Sequence, residues 1–217
     1  MNSSTGVMTA ASLILLLLGY LLGCLNGSVM VSHFIIKDDV RQHGSGNAGL
    51  TNFYRTYGAR YALGVILFDM GKTVLACVIG GVAFRYLFAD WTLGVLVGGL
   101  GCELGHMFPV FFGFKGGKGI LSGGTLVWLL DWRMGLIAWG LFALLWLVTR
   151  YVSLGSVAAA VSMPVSTWFL FGGSVLYTLL AVLIAALVVW CHRENIRRLL
   201  QGEERKFHWH IDPDREG

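Results

Sequence analysis

Long apolar stretches, separated by short polar ones, follow one another along the 217-residue chain. A helix that crosses a bilayer needs about 20 apolar residues, so stretches of this length indicate membrane spans. The pattern predicts spans near residues 10–36, 61–84, 91–112, 119–130, 134–149, 156–171 and 174–191, with a tail at 192–217. The fourth stretch is short for a crossing; it either borrows flanking residues or forms a re-entrant hairpin with the fifth. We therefore expect an all-α integral membrane protein with a single polytopic domain.

The composition agrees with this expectation. Apolar residues make up 56% of the chain, charged residues make up 13%, and the mean hydropathy is +0.69. A soluble domain carries about 25% charged residues, so no soluble domain is expected between the spans. Residues 1–36 lack the basic start of a signal peptide, which favours a retained first span. The four cysteines have no CxxC spacing and are expected to be reduced packing residues.

The distribution of basic residues predicts the orientation in the membrane. With the amino terminus outside, one face collects most of the Lys and Arg residues, and the other receives only Arg85 and Arg133. Because Lys and Arg mark cytoplasmic loops, we expect the amino terminus outside and the carboxy terminus in the cytoplasm. Three polar clusters then share the cytoplasmic face, at residues 44–55, 113–119 and 192–198.

The first polar cluster reads Gly-Ser-Gly-Asn-Ala-Gly-Leu-Thr-Asn over residues 44–52, and an arginine follows at position 55. Glycines let a backbone turn with its N–H groups pointing inward, which makes a nest for an anion. Hydroxyl and amide groups add neutral donors, and the guanidinium adds a positive charge. The candidate anion-binding residues are Gly44, Ser45, Gly46, Asn47, Gly49, Thr51, Asn52 and Arg55.

The second and third clusters extend the same chemistry. Residues 113–119 combine four glycines with Lys115 and Lys118 just before an apolar stretch. A helix start attracts anions, and the glycine density favours an anion cradle over a basic loop that touches lipid headgroups. In the third cluster, His192 and Asn195 are three residues apart and share one helical face. A serine-bearing turn with Ser156 is expected on the same side of the membrane.

Two motif matches fail on their structural context. Residues 44–49 fit the dinucleotide-binding pattern G-x-G-x-x-G, but the chain has no room for the strand and parallel sheet that this motif requires. His33 and Asp38 match H-x4-D, which is the signature of one class of acyltransferases. On a helix, however, their side chains point to different faces.

Charged residues inside membrane spans need partners. Asp69 and Lys72 are three residues apart on the second span, so we expect them to pair with each other and support the structure. Glu103 and His106 have the same spacing on the third span. Glycine rows, with Gly19 and Gly98 among them, indicate helices that pack closely.

Together these motifs resemble the bacterial acyl-phosphate:glycerol-3-phosphate acyltransferases of the PlsY type, and the resemblance extends from about Gly19 to Lys206. It rests on three motifs in order: the first glycine loop with Arg55, the Gly-His and Phe-Lys-Gly-Gly-Lys-Gly segments of residues 105–119, and the His-Arg-Glu-Asn-Ile segment of residues 192–196. Asp69 with Lys72, and the serines at 153 and 156, add to the match.

The resemblance implies a seven-helix transmembrane bundle in the bacterial inner (plasma) membrane, with the active site facing the cytoplasm. It implies transfer of a fatty acyl group from acyl phosphate to the 1-hydroxyl of glycerol 3-phosphate. The products are 1-acyl-glycerol 3-phosphate and phosphate, in the first acylation of phospholipid synthesis. Membrane lipids are the expected surroundings, and no cofactor, metal or nucleic acid is expected.

The resemblance also implies roles for individual residues. The implied catalytic residues are Ser45, Asn47, Lys118, His192 and Asn195. The implied substrate-binding residues are Gly44, Gly46, Gly49, Thr51, Asn52, Arg55, Lys115, Gly116, Gly117 and Ser156.

The chain departs from the family pattern at several positions. Leu50 stands where the family usually has alanine, and Glu103 stands where a small or apolar residue is more common. Two other functions therefore stay open at the level of the sequence. One is a non-catalytic, acyltransferase-like protein that binds lipid, and the other is a transporter for a small organophosphate.

Overall fold

The computed structural model describes residues 3–207, and within that range the chain is helical and contains no strand. Its α-helices are α1 (Ser3–Gly23), α2 (Gly27–Met30), α3 (Leu50–Tyr57), α4 (Ala59–Phe88), α5 (Trp91–Met107), α6 (Ile120–Leu130), α7 (Trp132–Thr149), α8 (Val152–Leu170), α9 (Val175–Cys191) and α10 (Arg193–Gln201). A π-helical segment covers Val31–Ile36, and short 3-10 turns cover Val40–Gln42 and Val110–Phe112. The predicted tail at 192–217 is described to residue 207; the rest of it lies outside the described residues.

Within residues 3–207, five segments are long and apolar enough to cross a membrane: Thr5–Ile36, Ala59–Phe88, Trp91–Phe112, Trp132–Thr149 and Val152–Leu170. A sixth is added if α9 and α10, which meet at 58°, are counted as one broken span. The remaining apolar helix, α6, has only 11 residues, as the short fourth stretch of the sequence predicts. The all-helical membrane architecture is therefore confirmed, whereas the count of seven spans stays a prediction.

The first span, which the sequence predicts over residues 10–36, has an interruption of its helix between Gly23 and Gly27. Helix α1 ends at Gly23, and Asn26 restarts the chain as α2 by accepting a hydrogen bond from the Val29 N–H at 3.1 Å. The break frees two carbonyl groups, of Gly23 and Leu25, and the Lys72 ammonium donates to both at 3.0 Å. Such a partner is necessary because lipid cannot satisfy a free carbonyl group.

Helix α5 is the centre of the bundle and packs closely against α1 and α4. In its most apolar 18-residue stretch 72% of the residues are buried, against 17–39% in the other spans. A methyl group at Gly19 would overlap the carbonyl oxygen of Gly98, and one at Gly94 would overlap that of Gly80. The predicted close packing along glycine rows is confirmed, since only glycine leaves room for these backbones.

The intramembrane pair is also confirmed. The Lys72 ammonium lies 2.8 Å from the Asp69 carboxylate, and both side chains are almost fully buried. The Asp69 carboxylate also accepts a hydrogen bond from the Gly27 N–H at 2.9 Å, so the pair joins α4 to the restart of the first span. All four cysteines lie in the described range and none forms a disulfide, as predicted.

A small buried cluster supports the first polar loop. It contains Val29, Val40, Phe53 and Val65, each with at most 2% of its surface exposed. Because Phe53 belongs to α3 and Val65 to α4, the cluster fixes α3 against the membrane helices. The loop of residues 44–49 is thereby held between two anchored elements.

Candidate active site

One cavity of about 590 Å³ gathers residues from all three polar clusters. It is lined by these predicted site residues: Ser45, Asn47, Gly49, Thr51, Asn52, Arg55, Lys118, Ser156, His192 and Asn195. Five other predicted residues do not line it: Gly44, Gly46, Lys115, Gly116 and Gly117. The clusters that the sequence places on one membrane face are thus parts of a single site, although some of the glycines lie behind its wall.

The side chain of Asn52 holds the first glycine loop in shape. Its carbonyl oxygen accepts a hydrogen bond from the Ser45 N–H at 2.9 Å. Its NH₂ group donates to the carbonyl oxygens of Val40, His43 and Asn47 at 3.0–3.1 Å. Although the sequence predicts substrate binding for Asn52, its amide is already used by backbone groups. The structure therefore gives Asn52 a supporting contact with the loop.

The first loop is hydrogen-bonded to the second. The Gly116 carbonyl oxygen accepts from the Ala48 N–H and from the Asn47 side chain, both at 3.3 Å. The Gly117 N–H in turn donates to the carbonyl oxygen of His106 at 3.1 Å. A methyl group at Gly116 would overlap that same oxygen of His106. The two predicted anion cradles are therefore one connected structure, and its approach to α5 requires glycine.

A chain of short hydrogen bonds runs from Lys118 to the carboxy-terminal segment. The Lys118 ammonium donates to the Asn195 side-chain oxygen at 2.6 Å, and the Asn195 NH₂ group donates to Glu204 at 2.6 Å. Glu204 also accepts from the Ser153 hydroxyl at 2.7 Å and from the Arg198 guanidinium at 2.8 Å. Glu204 thus orients Asn195, which in turn orients Lys118.

Sequence reasoning missed Glu204, although it connects two of the clusters. It lies in a segment without helical periodicity, so no pattern distinguishes it from the other charges of the tail. Burial alone would raise the pKa of this carboxyl group, but the hydrogen bonds from Asn195, Ser153 and Arg198 outweigh burial and hold the pKa below its ordinary value. Glu204 is therefore an ionised acceptor at neutral pH.

The polar end of the cavity carries an excess of positive charge. Burial lowers the pKa of Lys118, and the nearby charge of Arg198 lowers it further. Burial likewise lowers the pKa of Arg55, together with the charge of Arg205. These four basic residues line the cavity with Glu204 as their nearby carboxylate, so the site favours an anion with more than one negative charge.

His192 presents a hydrogen-bond acceptor to the cavity. Its Nδ1 atom lies 2.8 Å from the Val188 carbonyl oxygen. Because a carbonyl oxygen can only accept, Nδ1 carries the hydrogen. In the neutral ring Nε2 is then unprotonated, and it can accept a hydrogen bond from a hydroxyl group.

The deeper part of the cavity is apolar. It is lined by side chains of α6, α7, α8 and α9: Val127, Ala138, Phe142, Ala159, Met163, Ile184, Ala185 and Val188. Leu50, which departs from the family pattern, lines the cavity and packs against the buried cluster below the first loop. The sequence gives no indication of this lining, because the periodic pattern of each span is the same with or without a cavity.

The structure does not bring the H-x4-D residues together. The Asp38 carboxylate accepts from the Tyr57 hydroxyl and lies 2.8 Å from the His43 ring, while His33 is exposed. Neither His33 nor Asp38 lines the cavity. This agrees with the expectation that the match carries no chemistry here.

Comparison with known proteins identifies the family of the chain. Residues 13–202 match the family model described as glycerol-3-phosphate acyltransferase. The chain belongs to this family. The resemblance that the three motifs carry is therefore confirmed, and it extends over nearly all of the described chain.

Sequence relatives and solved structures agree with the family assignment. The chain is 40% identical to a glycerol-3-phosphate acyltransferase of Synechococcus sp. (strain CC9902), over 92% of this chain and 97% of that protein. It is 36% identical to one of Thermoanaerobacter pseudethanolicus, over 88% and 93%. The crystal structure of PlsY (YgiH), an integral membrane glycerol 3-phosphate acyltransferase, superposes with a TM-score of 0.80 in its glycerol 3-phosphate form. That match has 36% identity and covers 91% of this chain and 96% of the other.

Proposed function

We propose that this acyltransferase moves a fatty acyl group from acyl phosphate to the 1-hydroxyl of glycerol 3-phosphate. The products are 1-acyl-glycerol 3-phosphate (lysophosphatidate) and phosphate, in the first acylation of phospholipid synthesis. One observation supports this most directly: a single cavity joins a strongly basic, glycine-lined end to an apolar end. An acyl phosphate has a phosphate group that matches the basic end and a fatty acyl chain that matches the apolar end. Glycerol 3-phosphate brings a second phosphate group to the basic end. The solved relatives include a glycerol 3-phosphate form and a lysophosphatidic acid form.

In the proposed reaction the glycerol 1-hydroxyl oxygen attacks the acyl carbonyl carbon. A tetrahedral intermediate forms, and the bond between that carbon and the phosphate oxygen then breaks, so that phosphate leaves with the electron pair. Acyl phosphate is already activated, so the protein supplies orientation and stabilisation of the oxyanion. The His192 Nε2 atom accepts the hydrogen bond of the attacking hydroxyl, and the phosphate of the donor takes its proton. Neither a metal nor a cofactor is part of the proposal.

The residues divide between two phosphate groups. We assign Ser45, Asn47, Thr51 and the glycine-loop amides to one phosphate, because they surround the first nest. The second set orients glycerol 3-phosphate, since its members come from the basic end of the cavity: Arg55, Lys118, Ser156, His192 and Asn195. Lys115, Gly116 and Gly117 shape the loop from outside the cavity wall.

The proposed setting is the bacterial inner (plasma) membrane, crossed by a seven-helix bundle with its amino terminus outside. The active site and the carboxy terminus then face the cytoplasm. Support comes from the Lys and Arg residues, which gather on the side that carries the three polar clusters and α10. Membrane lipids surround the apolar outer surface.

A comparison of acyl donors tests the proposed function. Purified protein is incubated with labelled glycerol 3-phosphate and, in separate reactions, palmitoyl phosphate, palmitoyl-CoA or palmitoyl acyl carrier protein. We expect lysophosphatidate with palmitoyl phosphate alone. Binding of palmitoyl phosphate without product would indicate a non-catalytic lipid-binding protein. Uptake of glycerol 3-phosphate into sealed vesicles without product would indicate a transporter instead.

A further inference from the structure

A second histidine lines the same cavity and is not used by the mechanism above. His106 lies at the end of α5, with 3% of its surface exposed, and its side chain borders the cavity. Its ring contacts two separate groups: the buried Asp69–Lys72 pair on one side and the second glycine loop on the other. The contacts on the first side decide which ring nitrogen carries the hydrogen.

The Lys72 ammonium fixes the protonation of the His106 ring. It lies 3.1 Å from Nδ1, whereas the Asp69 carboxylate lies 3.6 Å from the same atom, too far for a hydrogen bond. The ammonium has three hydrogens, and the closer Asp69 carboxylate and the Gly23 and Leu25 carbonyl oxygens accept them at 2.8–3.0 Å. It therefore acts on Nδ1 as a nearby positive charge, and a hydrogen on Nδ1 would point at that charge. The neutral ring therefore carries its hydrogen on Nε2.

The Nε2–H group lies under the second glycine loop. A methyl group at Gly117 would overlap Nε2, so the loop backbone passes directly beside this atom. Among residues 3–207, the polar contacts of the His106 ring involve Nδ1 and not Nε2. The neighbouring cavity is where a substrate oxygen can supply the missing acceptor.

We propose that His106 is a further catalytic residue, whose Nε2–H group donates a hydrogen bond to an oxygen of the bound acyl phosphate. This inference rests on the proposed function, because it takes acyl phosphate as the substrate. The acceptor is an anionic oxygen, either of the phosphate or of the acyl carbonyl as it becomes an oxyanion. Lys72 is then a positioning residue that acts through the His106 ring, and Asp69 holds Lys72 in place.

Kinetics of paired variants test the proposal. His106→Leu removes the donor at similar volume, and His106→Gln keeps an N–H donor on a side chain of similar reach. If the contact is to the oxyanion, we expect kcat of the leucine variant to fall about 100-fold or more. If the contact is to the phosphate, KM for palmitoyl phosphate rises instead. The glutamine variant should recover most of either loss. His33→Leu, outside the cavity, is the matched control and should behave as wild type.

The outcomes separate this inference from the proposed function. Wild-type protein that makes no lysophosphatidate from palmitoyl phosphate refutes the proposed function. Active wild type together with a fully active His106→Leu variant overturns the role of His106 alone. Equal losses in folded leucine and glutamine variants also overturn it, because they indicate a purely structural histidine.

A second measurement uses the wild-type chain, so it does not depend on whether the variants fold. In protein labelled with ¹⁵N-histidine, we expect the neutral His106 ring to carry its hydrogen on Nε2. A long-chain β-ketophosphonate, in which CH₂ replaces the bridging oxygen, should shift the Nε2–H signal downfield. A shift with inorganic phosphate alone identifies a phosphate oxygen as the acceptor, and a shift with the ketophosphonate only identifies the carbonyl oxygen. A hydrogen on Nδ1, or no shift with either probe, overturns the proposal.

Discussion

His192 and His106 line one cavity, but their neighbours give the two rings opposite hydrogen-bonding roles. The Val188 carbonyl holds a hydrogen on Nδ1 of His192, so its Nε2 atom accepts. The positive charge of Lys72, 3.1 Å from Nδ1 of His106, disfavours a hydrogen on that atom, so the Nε2 atom of His106 donates. One histidine thus accepts a hydrogen bond from the attacking hydroxyl, and the other donates a hydrogen bond to an anionic oxygen. Sequence alone cannot distinguish the two, because the difference lies in a partner about one helical turn away for His192 and on another helix for His106.

The largest expected effect on activity follows the loss of His192, the hydrogen-bond acceptor. His192→Ala removes the group that orients the attacking hydroxyl, and misplacing a reacting group costs about 10²-fold in rate. We expect kcat for lysophosphatidate formation to fall by about 100-fold or more, while the variant keeps its thermal stability. His33→Ala is the control, since His33 is exposed and lies outside the cavity. Undiminished turnover of His192→Ala would remove this histidine from the mechanism.

A smaller effect on activity is expected at Gly117, where the second glycine loop contacts His106, the hydrogen-bond donor. Gly117→Ala places a methyl group against the His106 ring, so the loop must shift away from Nε2. We expect kcat/KM to fall about 10–100-fold, because small displacements of positioning groups cost about that much. Gly140→Ala in α7 is the matched control, since a methyl group there meets nothing within 4 Å. Equal activities of the two variants would contradict the contact between loop and histidine.

A still smaller effect concerns the side of the cavity that holds His192. Glu204→Gln keeps the side-chain volume but replaces an ionised acceptor of Asn195 and Arg198. Because charge-assisted hydrogen bonds are about twice as strong as neutral ones, we expect roughly a three- to tenfold loss of kcat/KM. Steady-state kinetics with glycerol 3-phosphate as the varied substrate provide the measurement. A wild-type KM and kcat would show that Asn195 does not need this partner.

The same carboxylate predicts a pH dependence. Its folded-state pKa lies below the ordinary value of 4.5, so the folded state favours the ionised form. The stability from Glu204 is therefore fully present above about pH 4.5 and is lost as the pH falls through the lower, folded-state pKa. We expect the melting temperature of wild type to fall more steeply with acid than that of Glu204→Gln. Parallel melting curves below pH 4.5 would contradict the assigned hydrogen bonds.

The smallest effect on activity is expected at Glu103, one helical turn before His106. Glu103 is fully buried, and neither of its oxygens has a hydrogen-bond partner among residues 3–207. Burying a polar group without a partner is unfavourable, so Glu103→Leu should raise the melting temperature and leave kcat within about twofold of wild type. Asp69→Leu, which leaves the Lys72 ammonium without its carboxylate, should lower the melting temperature. A destabilised Glu103→Leu variant would show that this carboxyl group has a partner in the membrane-bound protein.

Much of the fold is accessible from the sequence because membrane helices follow simple rules. Apolar length locates most spans, and the spacing of Asp69 and Lys72 predicts their ion pair. The break at Asn26 is not predictable from hydropathy, since it depends on Lys72 reaching the freed carbonyl groups from another helix. Local patterns describe a single helix well, but they do not show which partner a neighbouring helix supplies.

The site residues likewise include some that the sequence predicts and some that it does not. Glycine and charge patterns identify the two loops, Arg55 and the His192–Asn195 face as candidates, and the structure gathers them around one cavity. The contribution of Glu204 depends on the carboxy-terminal segment folding back onto α8 and α10, where Ser153 and Arg198 contact it. The tautomer of His192 depends on one backbone carbonyl group, and that of His106 on the charge of Lys72 from another helix. Such details arise from tertiary contacts and have no periodic signal.

The most direct test of the account follows phosphate release in a single turnover. Wild-type protein in excess is mixed with palmitoyl phosphate, with and without glycerol 3-phosphate, and phosphate and lysophosphatidate are both quantified. Direct transfer within one cavity predicts that one phosphate is released for each lysophosphatidate formed. It predicts almost no phosphate release without glycerol 3-phosphate. A burst of phosphate equal to the palmitoyl phosphate supplied, in the absence of glycerol 3-phosphate, would indicate an acyl-enzyme or simple hydrolysis and would contradict the account.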